Sequence, residues 1–275
     1  MTATQDIRII QGDCLEELEK LERNSVDLIF ADPPYNQGID YGDGTKADRL
    51  STRDYEQWTT FWLAVCTNRL KRTGSLWVLC PDEWAAFFDR TLFACGLNCR
   101  NWIIWYETFG NNCKRKFNRT KRHLLYFVKN PEHFTFNRSA ITRPSDRQAK
   151  YNDHRANPNG KNLDDVWTDI PRLAGTHKER IPGFPTQLPL ALLRRIVAVS
   201  SNPGDLVLDP FSGSATTGVA AMELGRRYIG IEKQPKFVKM SRVRLRNLQE
   251  IPDVLQRYVG HQTRISRLSR TPQDF

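Results

Sequence analysis

Two prolines in a row close an apolar run near the N-terminus, and no other feature constrains the fold of this chain as tightly. The run is Val26-Asp27-Leu28-Ile29-Phe30-Ala31, and Asp32-Pro33-Pro34-Tyr35 follows it directly. A short run rich in branched and aromatic residues reads as a buried strand, and proline has no N–H for a sheet ladder, so the strand stops there. The tetrapeptide therefore stands at the carboxyl end of a strand, the edge at which open α/β sheets bind ligands. The plainer alternative is a proline-terminated strand whose acid caps the next turn.

The residue types suit one difficult reaction, methylation of an exocyclic amino group on a nucleobase. That nitrogen is a poor nucleophile because its lone pair is delocalised into the ring. Acceptors aimed at its two hydrogens favour a more tetrahedral nitrogen with a freer lone pair. Asp32 supplies one acceptor and the Pro33 carbonyl the other, while the stiff Pro33-Pro34 pair lacks both amide donors. Tyr35 offers an aromatic face on which an unstacked base can lie.

The 275 residues fit one large α/β domain or one domain carrying a sizeable insertion. Ile7 to Gln11 reads as a first strand, followed by Gly12-Asp13-Cys14 and an acidic helical pattern from Leu15 to Leu21. Asp13 stands at another strand end, where it can cap that helix or meet a ligand. Asn36 to Arg53 is rich in Gly, Asp and charge without periodicity, the pattern of a lid or clamp. Tyr55 to Lys71 has helical spacing with Trp58, Phe61, Trp62, Val65 and Leu70 on its apolar face. Gly74 to Cys80 reads as a strand, Asp82 as the cap of a helix that Gly96 stops, and 101–106 and 123–128 as two more strands. From Asn130 to Asp165 the composition shifts to Arg, Asn, Pro and Ser, the mark of an inserted recognition region or of disorder without a partner. A proline-punctuated stretch then leads into an apolar helix at Leu190, and the tail past Pro252 carries no pattern.

Charge is unevenly placed. Asn111 to Arg155 holds twelve Lys/Arg against three Asp/Glu, a balance of +9, and Arg226 to Phe275 carries +8, leaving −7 for the remainder. Two basic segments beside an acidic remainder suit a phosphate backbone. In the first, Lys114, Arg115, Lys116, Arg119, Lys121 and Arg122 interleave with Asn111, Asn112, Phe117 and Asn118, side chains able to read or stack on bases. No stretch approaches ~20 apolar residues, and the N-terminus lacks a charged-then-apolar signal, so a cytoplasmic protein without membrane contact is expected. The six cysteines form no Cys-x-x-Cys pair and the five histidines sit at no ligand spacing to them, which predicts reduced thiols and no metal.

A second site is written from Leu206 to Gly218, where strand, tight turn and helix expose backbone amides to a polar or anionic group. Glu232 follows Asp209 by 23 residues at the end of the next strand, the place of an acid that binds ribose hydroxyls. A nicotinamide dehydrogenase is the rival here. Its fingerprint needs a glycine where this chain has Ala215, and a methyl there crowds a pyrophosphate more than a nucleoside ending in an amino acid.

Together the two motifs resemble the DNA amino-methyltransferases that use S-adenosylmethionine, in the order called the β group: catalytic motif, recognition region, cofactor motif. Asp32-Pro33-Pro34-Tyr35 is similar to the first and Asp209-Pro210-Phe211-Ser212-Gly213 to the last, within a resemblance spanning Ile7 to Leu248. It implies a doubly wound, mostly parallel seven-stranded Rossmann-like sheet. Residues 1–110 would form its catalytic half, 111–165 a target-recognition region including a core strand, 166–250 the cofactor half and 251–275 a tail. It also implies Asp32, Pro33 and Pro34 at the amino group and Tyr35 on the flipped base. Asp13 with Cys14 would meet the adenine ring of the cofactor, and Phe211, Gly213 and their neighbours, including Thr216, the methionine end. Glu232, with Lys233 beside it, would take the ribose, and Thr186-Gln187 would close the pocket. Ala215 departs from the family, which more often has glycine there.

The reaction implied is in-line attack by the amino nitrogen on the sulfonium methyl. The leading Asp is the residue that adenine-N6 members carry, whereas cytosine-N4 members more often have Ser or Thr. Double-stranded DNA is then the partner, with a homodimer and a separately encoded restriction endonuclease as further expected partners. Competing readings are a catalytically weak DNA-binding regulator on the same fold and an amino-methyltransferase of RNA or protein.

Overall fold

A computed structural model describes residues 6–42, 44–46, 48–107 and 113–249 of the chain. The tail expected over 251–275 and the loop residues Asn111 and Asn112 lie outside the described residues.

The strands are β1 (Ile7–Gln11), β2 (Val26–Ala31), β3 (Leu70–Cys80), β4 (Asn98–Tyr106), β5 (Lys121–Val128), β6 (Thr142–Arg143), β7 (Lys161–Asn162), β8 (Val166–Trp167), β9 (Leu206–Asp209) and β10 (Arg227–Glu232). The helices are α1 (Cys14–Lys20), α2 (Thr52–Arg69), α3 (Asp82–Ala94), α4 (Asp146–Ala149), α5 (Leu190–Ser200), α6 (Thr216–Glu223) and α7 (Pro235–Gln249).

The main sheet has eight strands in the order β1-β10-β9-β2-β3-β5-β4-β8, one more than the seven expected. The extra strand is β8, two residues long, recruited to the edge when Ile104 N donates to the Asp165 carbonyl at 2.8 Å. A segment that short has no periodicity to read in the sequence. Pairing is parallel from β1 through β3 and antiparallel on both sides of β5.

Alternation along β2 explains why the sheet is covered on both faces. Leu28 and Phe30 face one core with Trp77, Tyr126, α5 and α6, whereas Ile29 and Ala31 face the other with Trp62, Leu63 and Phe88 of α2 and α3. A strand buried on both sides must be apolar throughout, and that is the run seen in the sequence. Asp27, the polar exception, takes Lys71 Nζ at 2.8 Å and accepts the Leu206 N–H at 2.9 Å, tying β2 to the start of β9.

Local caps differ from expectation in two places. Pro81, not Asp82, occupies the N-cap of α3, and the Asp82 carboxylate instead meets His123 Nε2 at 3.2 Å. Phe61, placed on the apolar face of α2, is exposed, because that face turns through Tyr55, Trp62 and Cys66. Gly96 ends α3 with φ +82° as its position requires.

Between β5 and β8, β6 and β7 form a two-stranded sheet of their own beside α4, whose N-terminus carries a Ser145/Gln148 capping box. Among the described residues, no helix is long and apolar enough to cross a membrane.

Candidate active site

Four consecutive parallel strands each deliver one carboxylate to the same edge. In spatial order Asp13 follows β1, Glu232 ends β10, Asp209 ends β9 and Asp32 follows β2. β9 and β2 are paired neighbours although about 180 residues apart in sequence, through Leu28 with Val207 and Ile29 with Leu208. This is the point at which an open sheet reverses its strand order, and a crevice opens there.

The crevice is a cavity of about 700 Å³, within the ~300–1,000 Å³ usual for ligand sites. Asp32, Pro33, Pro34, Tyr35, Asp13, Cys14, Thr186, Gln187, Asp209, Pro210, Phe211, Ser212, Gly213, Thr216, Glu232 and Lys233 all line it. The two motifs therefore share one space.

The turn after β2 is held from outside. Tyr55 Oη donates to the Pro34 carbonyl at 2.8 Å, and Trp84 Nε1 donates to the Tyr35 carbonyl at 2.9 Å. Pro33 lines the cavity, and among the described residues no donor reaches its carbonyl. Tyr35 is buried and its hydroxyl donates to Asp32 Oδ1. Burial pushes the Asp32 carboxyl up to about 6, against the pull of the Tyr35 hydrogen bond and the Arg122 charge. Tyr35 differs from its expected openness: the Arg122 guanidinium lies over one ring face, 4.9 Å from the centroid.

The turn after β9 uses its polar groups on itself. Asp209 accepts from Phe211 N at 3.0 Å and from Thr217 Oγ1 at 2.6 Å, so it fixes the entry to α6, and burial pushes its carboxyl up to about 7. Glu232 accepts from Gly213 N at 2.9 Å and Gln234 N at 2.7 Å. Gly213 has φ +49°, and a Cβ built on it would stand 2.6 Å from Phe184 Cζ, so backbone and ring leave room for nothing larger. Phe184 packs edge-on against Phe237 at 4.8 Å, and Phe211 against Trp62 at 5.1 Å.

Ala215 takes the left-handed conformation, φ 57° and ψ 35°, that glycine holds more easily. Its methyl is fully buried in the core and does not line the cavity, so it crowds no ligand there.

Two expected cofactor residues have structural duties. Asp13 caps α1, accepting from Leu15 N at 3.0 Å, while still lining the cavity. Gln187 donates to the Glu179 carbonyl and accepts from Ile181 N, both at 2.7 Å, so its amide shapes the 179–187 loop. Burial holds the Cys14 thiol up near about 12, which keeps it neutral.

Of the cations expected on DNA, Lys114, Arg115, Lys116 and Lys121 are exposed. Arg119 is exposed but pairs with Glu83. Arg122 is placed apart from them: it lines the cavity and donates to Glu107 Oε2 at 3.4 Å. Opposite Trp105 in the β4–β5 register, it is drawn inward by a pairing that sequence spacing cannot show.

Sequence reasoning also passed over Glu107, Tyr41, Trp58 and Asp48, all on the cavity wall. Asp48 accepts from the N–H groups of Asn36, Gln37 and Ile39, which wraps that stretch around its carboxylate, and Tyr41 lines the cavity with Thr186. In sequence Asp48 is one of three aspartates in that loop, with Asp40 and Asp43, and nothing sets it apart. Among the described residues no three His, Cys, Asp or Glu side chains converge to hold a metal ion.

The family model described as DNA methylase matches residues 26–243. The chain belongs to the DNA methylase family. Its relatives include the DNA adenine methyltransferase YhdJ of Escherichia coli (strain K12), 37% identical over 97% of this chain and 94% of that one. The type II methyltransferase M.HpaI of Haemophilus parainfluenzae is 34% identical over 98% of this chain and 81% of its own. In fold, the DNA methylase chain resembles the crystal structure of the M1.HpyAVI–SAM complex, with TM-score 0.60 and 23% identity over 87% of this chain and 98% of that one.

Proposed function

We propose that this protein transfers a methyl group from S-adenosylmethionine to the N6 amino group of adenine, at a specific sequence in double-stranded DNA. The observation that carries the reading is the open Pro33 carbonyl beside Asp32, in one cavity with the turn that follows β9.

An adenine amino group brings two hydrogens and needs two acceptors. Asp32 takes one and the Pro33 carbonyl the other, which loosens the nitrogen lone pair from the ring. The Asp32 carboxylate is also the nearest base for the proton that the nitrogen sheds. Tyr35, with one face covered by Arg122, offers its remaining surface to the base.

The residues present fit the cofactor. Carboxylates from four strand ends beside Phe184, Phe211 and Trp58 suit a sulfonium cation and ribose hydroxyls, and the Gly213 cradle admits backbone approach. When bound, S-adenosylmethionine supplies a methyl carbon activated by positive sulfur. Asp13 and Cys14 would face its adenine, Glu232 and Lys233 its ribose, and Phe211, Gly213 and Thr216 its methionine end. Thr186 and Gln187 would close the far wall.

In this reading residues 1–110 carry catalysis, 111–165 recognition and 166–250 the cofactor. Exposed Lys114, Arg115, Lys116 and Lys121 lie on the chain between Glu107 and Arg122 at the cavity, so phosphate contacts there would bring a flipped base to Asp32. The naming of the Escherichia coli relative as an adenine enzyme supports adenine over cytosine. The type II name of M.HpaI supports a separately encoded endonuclease of the same specificity as a partner.

The test is expression in a methylation-free host with direct sequencing of modified bases. N6-methyladenine at one defined sequence is expected, and methylcytosine or an unmodified genome overturns the proposal. Asp32→Ala is expected to keep S-adenosylmethionine binding in calorimetry while single-turnover methylation falls by roughly 10²- to 10⁴-fold.

A further inference from the structure

Arg122 is a guanidinium on the wall of a cavity that six carboxylates also line, those of Asp13, Asp32, Asp48, Glu107, Asp209 and Glu232, and nothing in the reading above gives it a task. Three contacts define its place. Its Nε reaches Glu107 Oε2 at 3.4 Å, its plane covers the Tyr35 ring at 4.9 Å, and the hydroxyl of that ring donates to Asp32 Oδ1. Glu107, Arg122, Tyr35 and Asp32 thus form one linked row from the end of β4 to the end of β2. Glu107 lies just past Tyr106, the residue that pairs with Lys121 in the β4–β5 ladder, so the two antiparallel strands bring acid and guanidinium together.

We propose that Arg122 is a positioning residue for methyl transfer, which steadies the Tyr35–Asp32 pair and keeps Asp32 a charged acceptor at neutral pH. The proposal rests on the reading of Asp32 as the acceptor of the amino hydrogens. A planar guanidinium can lie flat on a ring while its edge meets a carboxylate, and an ammonium cannot do both.

The electrostatics agree. The titratable groups acting between Asp32 and its surroundings are Tyr35, Tyr41, Cys80, Glu107, Arg122 and Asp209. Burial raises both tyrosines and Cys80, which stay neutral near pH 7. Glu107 opposes ionisation of Asp32 and Arg122 is the cation that favours it, while the Asp32 charge in turn helps to hold Asp209 up to about 7. With Arg122 in place burial already lifts Asp32 to about 6, so losing that charge carries the acid into the working range. A protonated Asp32 offers a weaker acceptor to the amino group.

The experiment measures single-turnover methylation of a duplex oligonucleotide carrying the mapped site, with saturating S-adenosylmethionine, from pH 5.5 to 9. In the unaltered protein the rate is expected to fall as pH drops through about 6. Arg122→Met is expected to move that acid limb up by roughly one unit or more. Arg122→Lys restores much of the limb position but not the full plateau rate. Glu107→Gln, which keeps an acceptor for Arg122 and removes a negative charge, is expected to move the limb down. Opposite shifts from neighbouring substitutions are not produced by loosened packing. Salt dependence of DNA affinity supplies the counter-test: a phosphate-binding Arg122 would lower the slope by about 0.9 on substitution.

An acid limb that stays put in Arg122→Met and Glu107→Gln overturns the proposal, as does a lowered salt slope with an unmoved limb. If Arg122→Met does not fold, the Glu107→Gln shift decides alone. Full methylation by Asp32→Ala would instead bring down the underlying reading, whatever Arg122 does.

Discussion

Asp32 and Asp209 leave the ends of paired, parallel strands, yet the turns after them treat their acids differently. Asp209 has both oxygens engaged, by the Phe211 amide and the Thr217 hydroxyl, so it builds the loop. Asp32 has the Tyr35 hydroxyl on one oxygen, and beside it the carbonyl of Pro33, a residue of the cavity wall, meets no donor among the described residues. One acid is scaffolding, and the other is the one that the proposed function turns toward a substrate. The lesson is that position at a strand end gives a carboxylate its opportunity, and the neighbouring amides decide its use. Two prolines after Asp32 remove the N–H groups that would otherwise turn back and satisfy it.

The comparison breaks most readily at Asp209. Asp209→Ala leaves two enclosed donors without an acceptor and is expected to cost about 2–5 kcal/mol, seen in denaturant unfolding. Turnover at saturating cofactor should stay within a few-fold. Asp32→Ala should do the reverse, removing turnover without loss of stability. Its carboxyl rises from 3.8 to about 6 in the folded protein, so its stabilising contribution is present at low pH and lost as pH climbs through that window. Above pH 7 the alanine variant is expected to melt at the same temperature as the parent or higher, which calorimetric scans at pH 5 and pH 8 will separate. A matching loss of stability in both variants would erase the distinction between the two turns.

Gly213→Ala sharpens the scaffold side. The left-handed backbone and the Phe184 ring both resist a methyl there, so a loss of about 1–3 kcal/mol is expected, with weaker S-adenosylmethionine binding by calorimetry. Ala215→Gly should be the mildest change. Relief of the left-handed strain, about 1–2 kcal/mol, is offset by the buried methyl and by glycine's freedom in the unfolded chain. A net shift within about 1 kcal/mol and an unchanged cofactor affinity are the outcomes to check.

Much of this architecture was legible in the chain because strands buried on both faces must be apolar end to end. The runs at 26–31, 74–80 and 206–208 announced themselves, and the two motifs at their ends share one cavity. What stayed hidden depends on pairing across strands. Arg122 read as one more cation in a basic run, and only the β4–β5 ladder turns it inward to Glu107. Asp48 looked like an ordinary loop acid until three amides folded around it. β8 is an edge recruited by hydrogen bonds to β4, with too few residues to show any alternation.

The seating of β9 between β10 and β2 also governs when the enzyme comes into being on the ribosome. Through the making of residues 32–205 the open side of β2 has no partner strand, and β1 has none until β10 emerges. A nascent or truncated chain therefore presents a bare hydrogen-bonding edge next to Asp32, a surface prone to wrong pairing. The cavity cannot build up by degrees during synthesis; it closes only once β9 and β10 have both been made and join β1 to β2.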